Sequence, residues 1–224
     1  MTARKAQARG VPIPEILMLE TTQTTVLAMK QVIGDPLSSN DSTAAREAGK
    51  YIEQFHAIKT SPPFSGGQIQ WHEFICWWSN REIASVEKLA IFTNNEIACM
   101  KNRFAAMEHT LLDRPIALLH GDLQTEHILV NPQSQKVVAF LDFADAQPGD
   151  PLLDIAVLSL WDHSLADKVL EGYRSIENNE QTQHMLSQYR LLRCVAEVPW
   201  LLDRGFKAYA EKNVQAIKDN IRRK

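Results

Sequence analysis

Between His120 and Asp154, side chains capable of phosphate chemistry fall in a suggestive order. Asp122 follows His120-Gly121, and His127 stands five residues after Asp122. The short apolar run Val137-Val138-Ala139-Phe140-Leu141 then ends in a second carboxylate, Asp142. Phosphoryl transfer needs a carboxylate to orient and deprotonate a hydroxyl, then two ligands to hold a divalent cation against the phosphates. Asp122 is the candidate base. Its work would be mostly positioning, because the transition state is loose, and a general base contributes about 10²–10⁴ in rate. Asp142 offers a carboxylate oxygen, which suits a hard cation such as magnesium. His127 offers an imidazole nitrogen, which suits softer divalent ions, or a hydrogen bond within its loop.

The spacing from Asp122 to His127 equals that of the kinase pattern H-R-D-x-x-x-x-N followed by D-F-G. Here the second residue is Gly121 and the last is His127 rather than Asn. His120-Gly121-Asp122, Leu141-Asp142-Phe143 and Gly149-Asp150-Pro151-Leu152-Leu153-Asp154 occur in that order. Together they resemble the aminoglycoside phosphotransferase and choline kinase family of small-molecule kinases. That family carries an H-G-D-x-x-x-x-N loop, a strand ending in Asp-Phe or Asp-Trp, and a G-D-P-x-x-D helix start. Some branches that phosphorylate macrolides or the 2″ position of aminoglycosides look similar in having His where this chain has His127.

The resemblance implies an ATP-dependent transfer to a hydroxyl of an aminoglycoside-, macrolide- or choline-like acceptor. Asp122 would be catalytic. His127 and Asp142 would hold Mg2+, with Mn2+ admitted by the imidazole. His120 would brace the catalytic loop through backbone hydrogen bonds, Gly121 would permit close backbone approach, and Asp154 would be a buried carboxylate supporting the same loop. The adenine edge would bond to hinge backbone, at the carbonyl of Lys30 and the amide of Val32. Asp150 reads as a helix cap and Asp145 as a solvated loop carboxylate.

The resemblance extends over nearly the whole chain. Residues 10–17 look like the strand after the family's first long helix, Val26-Leu27-Ala28-Met29 like the next strand, and Ile33-Gly34-Asp35-Pro36-Leu37 like the segment after the hinge. The implied division is a remnant of the N-terminal lobe at 1–30, a hinge at 31–38 and a helical C-terminal lobe at 39–224. In the family a glycine-rich phosphate loop, a lysine-bearing strand and a glutamate-bearing helix precede these parts. The expectation is that this chain lacks them and has weak or no kinase activity as written. A late start codon, a truncated gene or a complementing N-terminal lobe would each account for it, and a dimer is a further partner to expect.

The elements that must position these residues read as mostly helical. Helices are predicted at 2–9, 42–57, 69–91, 93–112, 151–161, 164–174, 180–204 and 207–222, with Pro199 kinking or interrupting the long one. Strands near 15–20 and 25–30 should pair as a hairpin around Glu20–Thr24. Ile128-Leu129-Val130 and the run at 137–141 flank the turn Asn131–Ser134. Residues 58–68 read as a loop, marked by Pro62, Pro63, Gly66 and Gly67. Trp71, Phe74, Trp77 and Trp78 fall at helical spacing and read as core, as do Trp161 and Trp200. The fold class is therefore α+β: a kinase-like helical lobe with a small catalytic hairpin and two further strands.

The 224 residues carry a net charge of −3, 45% hydrophobic and 23% charged residues, ordinary globular values. Neither nucleic acid nor an anionic membrane is favoured as a partner. Cys76, Cys99 and Cys194 read as reduced thiols of a cytoplasmic protein. A signal-peptide apolar region and a run of about 18 apolar residues are both missing. Two other classes remain open at this stage. One is a non-catalytic binding or scaffold protein. The other is a metal-dependent hydrolase using His120, Asp122, His127 and Asp142. Residues 155–210, where the family builds its acceptor pocket, mix Glu171, Arg174, Glu177, Arg190, Arg193, Glu197 and Arg204 without a dominant sign.

Overall fold

The computed structural model describes residues 2–21 and 25–222. Along the chain run α1 (Thr2–Gln7), β1 (Ile16–Thr21), β2 (Thr25–Met29), β3 (Asp35–Pro36), α2 (Ser42–His56), α3 (Trp71–Lys88) and α4 (Asn94–Glu108). Then come β4 (Ala117–Leu119), β5 (Ile128–Asn131), β6 (Lys136–Phe140), β7 (Gln147–Gly149), α5 (Pro151–Leu158), α6 (Ser164–Gly172), α7 (Glu180–Asp203) and α8 (Lys207–Arg222). Single 3-10 turns occupy Ser65–Gly67, His109–Leu111 and Thr125–His127. None of the described helices is long and apolar enough to cross a membrane.

The chain packs into two compact units, each built from separated stretches. The first takes residues 1–60, 117–147 and 158–178; the second takes 61–116, 148–157 and 179–224.

In the first unit, β1 and β2 pair antiparallel, Leu19 opposite Leu27 and Glu20 opposite Val26. This matches the predicted hairpin; Thr22 to Thr24 of its turn lie outside the described residues. Leu17, Met18, Val26, Leu27 and Met29 on these strands are all exposed. A second, three-stranded sheet has the order β3-β5-β6. Its hairpin turn is held by Asn131, whose Oδ1 accepts from the amides of Gln133 (3.0 Å) and Ser134 (2.9 Å). An Asn side chain that bonds its own following backbone favours this turn.

The predicted linker 31–38 does more than connect. Asp35 and Pro36 pair with Val130 and Leu129 at the sheet edge, the place a strand proline tolerates because it has no N–H to donate. Helix α2 starts at Asp41, whose carboxylate accepts from the Ala44 amide at 2.9 Å, satisfying one of the orphan donors of a helix start. It packs on β6 and against α6. At the α2–α6 crossing, a Cβ added to Gly49 would stand 2.0 Å from the Val169 carbonyl oxygen. One added to Gly172 would stand 1.9 Å from that of Arg46. Glu47 of α2 also accepts from the Val137 amide at 2.7 Å, next to the register shift between Leu129 and Val130. A bulge leaves backbone groups without ladder partners, and Glu47 satisfies one of them.

In the second unit, α3, α4, α7 and α8 pack on one another. The rings of Phe64, Trp71 and Phe74 cluster at centroid distances of 5.2–5.8 Å. Trp71 and Phe74 are buried as expected, and Trp77 and Trp78 are half-buried. Trp161 and Trp200 are corrections: they are 46% and 51% exposed. Trp161 lies beyond the end of α5, and Trp200 faces outward with the Arg204 guanidinium 4.3 Å above its ring. Nor does Pro199 interrupt α7, which runs unbroken to Asp203. The missing N–H removes one hydrogen bond near the helix end, and Val198 and Leu201 on either side are buried.

Candidate active site

The candidate site begins where β4, buried throughout, delivers His120 into the interior of the first unit. The His120 ring is 1% exposed and its Nε2 donates to the Leu141 carbonyl at 2.7 Å. Leu141 directly precedes Asp142, so the imidazole ties the first loop to the second. Phe143 packs on this ring at 4.7 Å, and Phe55 of α2 packs on Phe143 at 5.3 Å.

Gly121 has φ +87°, and a Cβ there would lie 2.1 Å from the Asp145 carbonyl oxygen. Only glycine meets both demands. Asp122 follows, half-buried. The Gln124 side-chain amide donates to both its carboxylate oxygens, at 3.0 and 3.1 Å. The Gln124 backbone amide donates to the Asp122 carbonyl at 2.9 Å, and its carbonyl accepts from the His127 amide at 3.0 Å.

His127 Nδ1 lies 2.6 Å from the Asp122 carbonyl oxygen. A carbonyl can only accept, so Nδ1 carries the proton. In the neutral ring the lone pair then belongs to Nε2, which faces Asp142 Oδ2 at 4.0 Å. Fixing one imidazole nitrogen through a carbonyl is how proteins orient a metal-binding histidine. Asp142 is an exposed carboxylate with φ +57°, and its Oδ1 accepts from the Ala144 amide at 3.4 Å. Aspartate is among the few residues that visit this left-handed region. Strain of this kind concentrates at functional sites.

Asp122, His127, Asp142 and His120 are therefore brought together, all in the first unit. Lys30 and Val32 sit just beyond β2 in the same unit. The Lys30 amide donates to the Glu15 carbonyl at 2.8 Å, and its ammonium pairs with Glu15 at 3.6 Å. Asp154 stands in the second unit, fully buried within α5. Asp145 is exposed, as expected. Among the described residues, no three His, Cys, Asp or Glu side chains gather in a metal-binding group. His127 and Asp142 are a pair.

Asp150 caps α5 by accepting from the Leu152 amide at 3.0 Å. It also receives Arg114 at 2.5 and 3.0 Å and the Tyr189 hydroxyl at 2.9 Å. The Tyr189 hydroxyl in turn accepts from Trp71 Nε1 at 2.8 Å. Burial and the Asp150 charge push the Tyr189 hydroxyl well above the ordinary tyrosine range. This buried network of the second unit was not legible beyond the cap. Gln124 was likewise missed; its one signal is an amide side chain two residues after a loop carboxylate.

A sequence model of the phosphotransferase enzyme family, APH, matches residues 2–185. The chain belongs to that family. No curated protein sequence matches it significantly. Among solved structures, it is similar to a choline/ethanolamine kinase family protein from Mesorhizobium loti. The identity is 16% and the TM-score 0.72, over 98% of this chain and 77% of that one. It is also similar to the wild-type aminoglycoside 2'-phosphotransferase-IIIa in its GDP complex, at 16% identity and TM-score 0.73, over 98% and 82% of the two chains. A thermostable mutant of aminoglycoside phosphotransferase APH(4)-Ia, in ternary complex with ADP and hygromycin B, matches at 17% identity and TM-score 0.69, over 99% and 81%. The phosphotransferase chain thus has the kinase-like fold that the resemblance of its three linked motifs implies.

Proposed function

We propose that this phosphotransferase moves the γ-phosphate of ATP to a hydroxyl of a small molecule of the aminoglycoside, macrolide or choline kind. Asp122 accepts the hydroxyl proton as the acceptor oxygen bonds to phosphorus. The bond from phosphorus to the bridging oxygen breaks, and ADP leaves. The carboxylate mainly orients the nucleophile, because most of the barrier reduction in this chemistry comes from positioning and charge stabilisation.

The observation that carries this reading is the relay from Asp122 to Asp142 through one imidazole. His127 Nδ1–H is held by the Asp122 carbonyl, and Nε2 faces Asp142 Oδ2 at 4.0 Å. Two ligands each about 2.1 Å from one cation can lie up to about 4.2 Å apart. The donor set therefore fits a divalent ion, with His127 and Asp142 as its protein ligands. A pair is what a nucleotide-bound cation needs, since phosphate oxygens and water complete its shell. When bound, the cation neutralises charge on the transferring phosphoryl group. One nitrogen and one oxygen donor suit Mn2+ as well as Mg2+. For the adenine edge, the carbonyl of Lys30 and the amide of Val32 take no backbone hydrogen bond among the described residues, which supports the hinge reading.

Isothermal titration of the chain with ATP, in magnesium and then in manganese, tests the site; an ADP-release assay over an acceptor panel tests the reaction. Metal-dependent binding that disappears in Asp142→Ala is expected, with ADP formed only slowly alongside a phosphorylated acceptor. A folded chain that binds no nucleotide overturns the proposal. Binding without any transfer assigns the chain to the non-catalytic class.

A further inference from the structure

Gln124 does nothing in the reaction described above, yet it holds the group that does. Its Nε2 donates to both carboxylate oxygens of Asp122, at 3.0 and 3.1 Å. Its backbone amide and carbonyl close the loop onto Asp122 and His127, at 2.9 and 3.0 Å. The Asp122 residue is thereby held at two places. The His127 ring takes its main-chain carbonyl and the Gln124 amide takes its side chain. A free carboxylate on two rotatable bonds would sample several orientations, and only some point an oxygen at an incoming hydroxyl.

We infer that Gln124 is the positioning residue of the catalytic carboxylate, an inference that rests on the phosphotransferase reading of Asp122. One Nε2 hydrogen is shared between the two oxygens, and a carboxylate has about four acceptor sites. Gln124 itself takes no more than two of these sites. Gln124 thus fixes the carboxylate without blocking it. Its side chain acts on the acceptor side, because the side-chain amide contacts the base and not the cation pair.

Gln124→Met tests this, since methionine fills the same length and donates nothing. A hydrogen bond to a charged group corresponds to about 10- to 100-fold in rate. The expected result is a fall of that size in kcat, with the Kd for ATP in magnesium unchanged and the thermal midpoint little moved. In the Asp122→Ala background the same substitution should change the residual rate no further, since the group it positions is gone. The Gln124 side-chain amide proton resonances should move in Asp122→Ala while the protein stays folded.

Wild-type kcat in Gln124→Met overturns the inference, as does an equal fall in both backgrounds, which marks a merely structural role. Side-chain amide resonances indifferent to Asp122→Ala overturn it without reference to turnover. Failure of the phosphotransferase reading itself registers elsewhere, as absence of transfer by the unsubstituted chain, and it removes this inference too.

Discussion

The His120 ring and the Leu141 main chain meet at 2.7 Å, Nε2 donating to the carbonyl that directly precedes Asp142. The first loop of the site thus sets the position of the second. His120 is nearly fully buried, so its loss would strand a carbonyl and leave a ring-sized void. His120→Ala should destabilise the fold by about 2–4 kcal/mol. It should also weaken magnesium-dependent ATP binding by at least tenfold, because the Asp142 loop loses its tether. Urea unfolding and titration of the same sample check both. Unchanged nucleotide affinity in a folded variant would show that the tether is not used.

His127→Asn exchanges a nitrogen donor for a carbonyl oxygen at the proposed cation site. Hard cations prefer oxygen and imidazole suits softer ones. The ratio of ATP affinity in magnesium to that in manganese should therefore rise about three- to tenfold in the variant. Parallel titrations in the two ions measure it. A ratio that stays fixed would place the cation away from this side chain.

Two glycine positions should tolerate no side chain. At Gly121 a methyl group meets both φ +87° and a carbonyl oxygen 2.1 Å away; at Gly172 it meets the Arg46 carbonyl at 1.9 Å. Overpacking costs about 1–3 kcal/mol and a strained backbone a similar amount. Gly172→Ala should lower stability by about 2–3 kcal/mol, and Gly121→Ala by about 3–5 kcal/mol with loss of activity. Thermal unfolding followed by circular dichroism decides. A Gly172→Ala midpoint within one degree of wild type would mean that α2 and α6 separate easily.

Burial pushes the Cys194 thiol up from 9.0 to about 12. The folded state keeps its proton after the unfolded state has released it, so unfolding releases a proton in that range. Stability then falls as pH rises. The contribution is fully present below pH 9 and is lost progressively up to about pH 12, an effect of about 4 kcal/mol at most. Tyr189, shifted in the same direction, adds to the loss above its ordinary range. Cys194→Ala should flatten the decline between pH 9 and 11 relative to wild type, as read by urea midpoints across pH. Parallel curves for the two proteins would exclude the thiol as a cause.

The grouping of the candidate site residues was legible in the sequence because it is local. Asp122, His127 and Asp142 fall within one loop–hairpin–loop, so their spacing largely dictates that they converge. The start of α5 was legible for the same reason: Asp150, read as its cap, accepts from the Leu152 amide two residues on. Periodicity likewise placed α2, α7 and α8 to within a residue or two.

Tertiary structure decided what no spacing encodes. Whether Trp71 is buried and Trp200 exposed depends on which helix face has a neighbour, and both residues sit in helices. The same holds for Asp35 and Pro36, which become a strand only because β5 lies beside them. It holds for Glu47, whose carboxylate reaches the Val137 amide from ninety residues away in sequence. Long-range hydrogen bonds and close backbone approaches of this kind arise from how elements pack, and packing is a property of pairs of segments. The sequence therefore determined which groups could do phosphate chemistry. The fold determined which way the His127 ring points and why Gly121 admits no side chain, because each of these depends on a carbonyl oxygen that another residue's backbone brings to it.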